Sequence, residues 1–181
     1  MLKALEFPFE IQVADISEDV QPGESPSALV TRLATEKAAF VSRSNPDSLV
    51  LAADTIVVLD GHILGKPENE NDAERMLKRL EGRTHSVLTG IALIHGSSFR
   101  TASLVAETEV TFDSLTENEI IDYVRSASPL DKAGAYGIQD DRGALFIKKI
   151  DGDFYNVMGL PLNRLYRLLH EEFGDFIVSL D

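Results

Sequence analysis

The stretch LVLAADTIVVLDGHILGKP, residues 49–67, constrains the fold more than any other part of the chain. β-branched residues flank Asp60-Gly61, a dipeptide suited to the two-residue turn of a hairpin. If Leu59 faces His62, pairing carried outward sets Ile56 opposite Gly65, Thr55 opposite Lys66 and Asp54 opposite Pro67. Asp54 and Lys66 then meet at the open end. Strict alternation directs them to opposite faces, so a bend or bulge near Ala53 is expected if both serve one site. The carboxylate itself needs an explanation, because a charge in an apolar run requires a partner, a metal or water. An ion pair closing the hairpin and a reactive site both meet that requirement.

The elements around this hairpin are read from period and punctuation. SPSALVTRLATEKAAFVSR reads as a helix, with Ser25 as its cap and Pro26 at the tolerated first position. Its apolar stripe is Val30, Leu33, Ala34, Ala38 and Val41, and Lys37 falls within it. From the helix alone, a lysine snorkelling over the core edge is favoured over a cation aimed into a site. Residues 71–80 form a second helix with Ala73, Met76, Leu77 and Leu80 inward, ended by Gly82. HSVLTGIALIH and SFRTASLVAETEVTF read as an antiparallel strand pair around Gly96-Ser97-Ser98. Thr116 and Glu119 make a capping box for a helix to about Val124. SPLDKAGAYGIQ reads as a loop, followed by a strand ALFIKKI, a turn at Asp151-Gly152 and a last helix over 161–173. Helices interspersed with hairpins imply an α/β class with a mixed, twisted sheet and flanking helices, in one domain spanning 1–181.

Composition narrows the chemistry. With 17 Lys and Arg against 30 Asp and Glu, the net charge of −13 opposes broad binding of nucleic acid. The chain has no cysteine, which excludes disulfides, thiolate metal sites and thiol catalysis. No apolar run reaches the roughly 18 to 20 residues that span a bilayer, and the first residues lack a signal-peptide layout, so a cytoplasmic protein without membrane partners is expected. The P-loop, the dinucleotide glycine fingerprint, the zincin helix motif and the serine elbow are all missing. The four histidines show no ligand spacing, and His85 in a strand reads as a structural imidazole.

What converges is a set of lysines, Lys37, Lys66 and Lys132, with the carboxylates Asp54 and Glu18. Such a set suits a polyphosphate carried with a divalent cation, since magnesium needs only one or two protein carboxylates when phosphates and waters complete its shell. Lys132 lies in DKAGAYGIQ, whose glycines allow close backbone approach to a ligand or simply serve tight turns.

RLATEKA, LAADTIVVLDGHILGKP, GRTHSVLTG, DKAGAYGIQ and NVMGLPL stand in this order along the chain. Together they resemble the Maf family of nucleoside triphosphate pyrophosphatases. The resemblance implies a fold related to the inosine triphosphate pyrophosphatases, two lobes around a nucleotide cleft, and a homodimer. It implies hydrolysis of a nucleoside triphosphate to the monophosphate and pyrophosphate with Mg2+, Mn2+ or Co2+. Carried over by motif, Asp54 is the proton acceptor, and Lys37, Lys66 and Lys132 are phosphate-side lysines. Glu18 matches a carboxylate that binds metal or phosphate, with Asp54 as the second metal-side group. Thr55 and Gln139 match positions that separate subfamilies, and ADT with YGIQ is similar to the branch acting on dTTP and UTP. A glutamine amide both donates and accepts, as reading a pyrimidine imide edge requires.

The family pattern opens with a strand and an S-x-S-P-R-R turn that has no counterpart in MLKALEFPFE. About fifteen residues are therefore expected to be missing relative to that pattern. Without its arginines, weaker charge stabilisation in the transition state is expected, with a nucleotide-binding protein of impaired catalysis as the alternative function.

Overall fold

The computed structural model describes residues 1–126, 129–140 and 142–177. Its elements are α1 (Pro26–Ser42), β1 (Leu49–Leu59), β2 (His62–Leu64), α2 (Glu70–Leu80), β3 (Thr84–His95) and β4 (Arg100–Phe112), then α3 (Glu117–Ser126), β5 (Ile147–Asp151), α4 (Phe154–Val157) and α5 (Leu162–Ile177). The strands form one antiparallel sheet in the order β2-β1-β3-β4-β5, and the helices complete the α/β class expected from the sequence. Among the described residues no helix is long and apolar enough to cross a membrane.

The chain divides into two compact units, neither continuous in sequence. One comprises Met1–Asp54, Thr89–Ala106 and Gly159–Asp181, the other Thr55–Leu88 and Glu107–Met158. The long strands β1, β3 and β4 each give one end to each unit.

In the first unit the Ser25 side chain accepts from the Ala28 N–H at 3.2 Å, which starts α1 as its sequence predicts. Leu29, Val30, Leu33, Ala34 and Ala38 of α1 are buried, and Ala34 and Ala38 pack with Val50 and Ala92. Small side chains here allow the helix to lie close to the strands. Gly90 completes that fit, since a Cβ on it would stand 2.5 Å from the Val30 carbonyl carbon. On α5, Leu165, Leu169 and Phe173 are buried with Ile91, Leu93 and Leu160, each large side chain contributing roughly 1.5–3 kcal/mol. This helix runs past the predicted end at 173 to Ile177, with a break at Phe173 (φ −136°) beside Gly174.

The second unit has its own core, built from Val57, Leu59 and Val87 of the strands, Ala73, Leu77 and Leu80 of α2, and Ile120, Tyr123 and Val124 of α3. Asn69, two residues before the predicted start, caps α2 by accepting from the Asp72 N–H at 3.0 Å. The capping box of α3 is reciprocal, with Thr116 N–H donating to Glu119 at 2.7 Å and Glu119 N–H donating to Thr116 Oγ1 at 3.3 Å. Residues 144–146, assigned to the start of a strand from sequence, belong instead to a 3-10 turn (Gly143–Phe146), and β5 begins at Ile147. Its ladder with β4 shifts register between Thr111↔Lys149 and Phe112↔Ile147, passing over Lys148.

The Asp60-Gly61 turn adopts φ 51° and 77°, the doubly positive pair a two-residue hairpin demands. Leu59 faces His62 as the turn chemistry requires, and the ladder continues to Val57↔Leu64. There it stops. β2 ends at Leu64, so the outward pairing of Thr55 with Lys66 and Asp54 with Pro67 does not form. Gly65 instead accepts at its carbonyl from the Gly134 N–H at 3.0 Å, and Pro67 has no N–H to extend a ladder. β1 runs as one strand from Leu49 through Ala53 to Leu59.

Candidate active site

In the first unit three predicted residues meet. The Lys37 ammonium donates to Asp54 Oδ1 at 2.6 Å and stands 2.6 Å from Glu18 Oε1. The Asp54 side chain is 9% exposed, that of Lys37 20% and that of Glu18 48%, so the cluster grades from interior to solvent. Burial by itself depresses the Lys37 pKa, but the hydrogen bonds it donates to Asp54 and Glu18 outweigh it and hold the pKa above its ordinary value. Lys37 is thus an ion-paired cation rather than the snorkelling lysine that the helix pattern alone favours. Asp54 finds a cation on α1, 17 residues earlier in the chain.

Glu18 is carried on the irregular segment before α1, and Arg32 of α1 fixes that segment. Its guanidinium donates to Glu24 Oε1 at 2.7 Å, to Glu24 Oε2 at 2.9 Å and to the Asp19 carbonyl at 2.9 Å, and it pairs with Glu36 at 3.2 Å. The planar fork of arginine matches such a bidentate carboxylate contact. Hydrogen bonding from Arg32 holds the Glu24 carboxyl at about 2, well below the usual range.

In the second unit the Gly134 N–H to Gly65 carbonyl bond ties the GKP stretch to the AGA turn, so Lys66 and Lys132 belong to joined backbone segments. Lys66 is exposed. Lys132 donates to Asp131 at 2.8 Å and lies 3.6 Å from Asp140 Oδ2. The Asp131 carboxyl is held below its usual range, chiefly by the Lys132 hydrogen bond, with a weaker contribution from the charge on Lys66. Gly134 sits at φ 70°, and a Cβ there would meet the Val57 side chain at 2.9 Å, so both conformation and space require glycine. Gln139 is exposed beside buried Ile138, and Thr55 is half-buried in β1. Ser128, where the predicted loop begins, lies outside the described residues.

His85 is structural, as read from the sequence. Its ring is 3% exposed, meets Tyr136 Oη at 2.7 Å through Nε2 and packs edge-on to Phe112 and Tyr136. Burial lowers its pKa to about 4. Sequence reasoning passed over Arg32, Tyr123 and Asp140. The only signal for Tyr123 was a tyrosine on a buried helix face, whose hydroxyl has to find a partner.

No group of three or more His, Asp or Glu that could hold a metal occurs among the described residues. Two carboxylate oxygens do converge on one cationic point at Lys37 Nζ. Hard oxygen donors in that number fit a magnesium-like ion whose remaining shell is water and phosphate.

Comparison with known proteins bears on the whole chain. The family model described as Maf-like protein matches residues 1–172. The dTTP/UTP pyrophosphatase of Salinibacter ruber is 48% identical over 177 residues, covering 98% of this chain and 87% of that protein. The proteins of the same name from Bacillus cereus strain G9842 and Bacillus mycoides strain KBAB4 are each 48% identical over 171 residues, covering 94% of this chain and 88% of theirs. With the motifs, the α/β fold and a family match running over residues 1–172, the chain belongs to the Maf family.

Proposed function

We propose that this protein hydrolyses dTTP and UTP to the monophosphate and pyrophosphate. The observation that carries the reading is the Asp54–Lys37–Glu18 cluster, in a chain 48% identical to a dTTP/UTP pyrophosphatase over 177 residues. Water attacks the α-phosphorus as the bond to the β-phosphate oxygen breaks, and pyrophosphate departs with that electron pair. Asp54 orients the water and accepts its proton. Lys37 keeps Asp54 ionised and fixed before that transfer. Lys66 and Lys132 serve the negative charge that grows on the leaving pyrophosphate. The exchange of Asp131 for phosphate oxygens at Lys132 costs little, because Asp131 is largely exposed. Glu18 and Asp54 would hold a divalent cation, Mg2+, Mn2+ or Co2+, whose contribution is to neutralise phosphate charge and acidify water. Gln139 reads the imide edge of thymine or uracil, and Thr55, next to Asp54, contributes to the choice of substrate.

Asp54→Asn keeps the shape of the side chain and removes its basicity. It is expected to lower the rate of pyrophosphate release from dTTP by about 100-fold or more, with dTTP binding retained in calorimetry. An unchanged rate would remove Asp54 from the mechanism.

A further inference from the structure

Gln139 occupies the third position of a tight turn, closed by the Asp140 N–H donating to the Gly137 carbonyl at 3.1 Å. Beneath the turn lies Tyr123, a fully buried residue of α3. Its hydroxyl accepts from the Gly137 N–H at 3.1 Å and donates to Asp140 Oδ2 at 3.1 Å. One oxygen therefore grips both ends of the four-residue turn that presents Gln139. Neighbouring glycines make the grip close. A Cβ on Gly137 would stand 2.7 Å from Asp140 Oδ2 and 2.9 Å from Lys132 Cε, and a Cβ on Gly143 would overlap the Gly137 carbonyl oxygen.

The chemistry of base reading explains what such a grip does. A glutamine amide offers a donor and an acceptor side by side, and rotated by half a turn it offers them in the opposite order. One order matches the imide edge of thymine or uracil and the other matches the amino edge of cytosine. An exposed glutamine on a loose loop reads both. A site distinguishes bases only when the wrong edge leaves its polar groups unpaired, and a backbone held in one place fixes the distance and direction from which the amide meets the base, so that a mismatched edge cannot be accommodated by moving the loop.

We infer that Tyr123 is a specificity-positioning residue, which sets the choice of pyrimidine base by clamping the Gly137–Asp140 turn under Gln139. The inference rests on the reading of Gln139 as the base-selecting residue. Tyr123 does not touch the substrate; it acts through the turn.

The test uses the whole chain and pyrophosphate release from dTTP, UTP and dCTP with Mg2+. Tyr123→Phe keeps the ring and removes the hydroxyl. The ratio of kcat/KM for dTTP over dCTP is expected to fall roughly tenfold, as the hydroxyl's two hydrogen bonds, from the Gly137 N–H and to Asp140, are lost together. In the double variant with Gln139→Ala, the ratio should equal that of Gln139→Ala alone, because both changes act on one selection step. A purely structural role would lower all substrates alike and leave the ratio unmoved. Asp140→Ala and Asp140→Asn provide a second route, on a half-buried residue that can be changed without touching the core. Alanine should shift the ratio as Tyr123→Phe does, and asparagine, which still accepts from the hydroxyl, should restore most of it. If Gln139→Ala changes the ratio and neither Tyr123→Phe nor Asp140→Ala does, the clamp is refuted while the reading of Gln139 stands. If Gln139→Ala itself leaves the ratio unchanged, both fall.

Discussion

Lys37 and Asp54, 17 residues apart in the sequence, meet at 2.6 Å with the Asp54 side chain 9% exposed. Little water reaches that carboxylate, and the ammonium lying against it stabilises its charge.

Replacing Lys37 by Met should therefore destabilise the fold by about 2 kcal/mol, less than a fully buried pair because the lysine is partly solvated. Urea unfolding of Lys37→Met, Asp54→Asn and the double variant checks this, with the double variant regaining part of the loss. The pH dependence has a definite sign. The folded pKa of Lys37 is raised, so the contribution of the lysine's charge is complete below the unfolded value of 10.5 and is lost as pH rises through the folded one.

His85 should make the protein sensitive to mild acid. Its pKa falls from 6.5 to about 4 on folding, so between those values the unfolded chain binds a proton that the folded chain refuses. Stability is complete above about pH 6.5 and declines by about 3 kcal/mol as pH falls to 4. Unfolding curves at pH 7 and pH 4.5 should show the decline, and imidazole NMR should find His85 still neutral at pH 5.5. A His85 resonance titrating near 6.5 would contradict the burial argument.

Gly90→Ala should fail at the level of folding. The added methyl carbon stands 2.5 Å from the Val30 carbonyl carbon, where the obstacle is helix backbone rather than a movable side chain. The expected loss is about 3 kcal/mol or more, seen as a fall in Tm or in soluble yield.

Arg32→Lys keeps the charge but loses the fork that grips Glu24 and the Asp19 carbonyl. Amide exchange over residues 17–24 is expected to accelerate several-fold while α1 stays protected. If Glu18 serves a divalent cation, the concentration of Mg2+ giving half-maximal rate should rise in parallel. In the parent protein the same loosening is expected with acid. The folded pKa of Glu24 is depressed to about 2, so this contact is complete above the unfolded value of 4.5 and is lost as pH falls towards 2.

Much of this architecture was legible before any coordinates. Ser25 with Pro26, the Thr116–Glu119 box and Asp60-Gly61 each specify their structure through contacts made within a few residues, and all three form as read. Where the reading extended a local pattern over distance, it failed. The hairpin register was right at Leu59↔His62 and ended at Val57↔Leu64, because Gly65 found a partner in Gly134, far along the chain.

The sequence by itself determined the α/β class, the family and the residue types of the candidate site, since these depend on periodicity, turn chemistry and ordered motifs. Tertiary structure decided the partners. Helical spacing placed Lys37 on the apolar side of α1, but only the packing of α1 near the strands brought its ammonium to Asp54. Helical spacing likewise placed Tyr123 inward, yet its hydroxyl acquired meaning only when Gly137 and Asp140 folded over it. A hydrogen bond between distant residues leaves no periodic trace in a single sequence, because nothing local requires it.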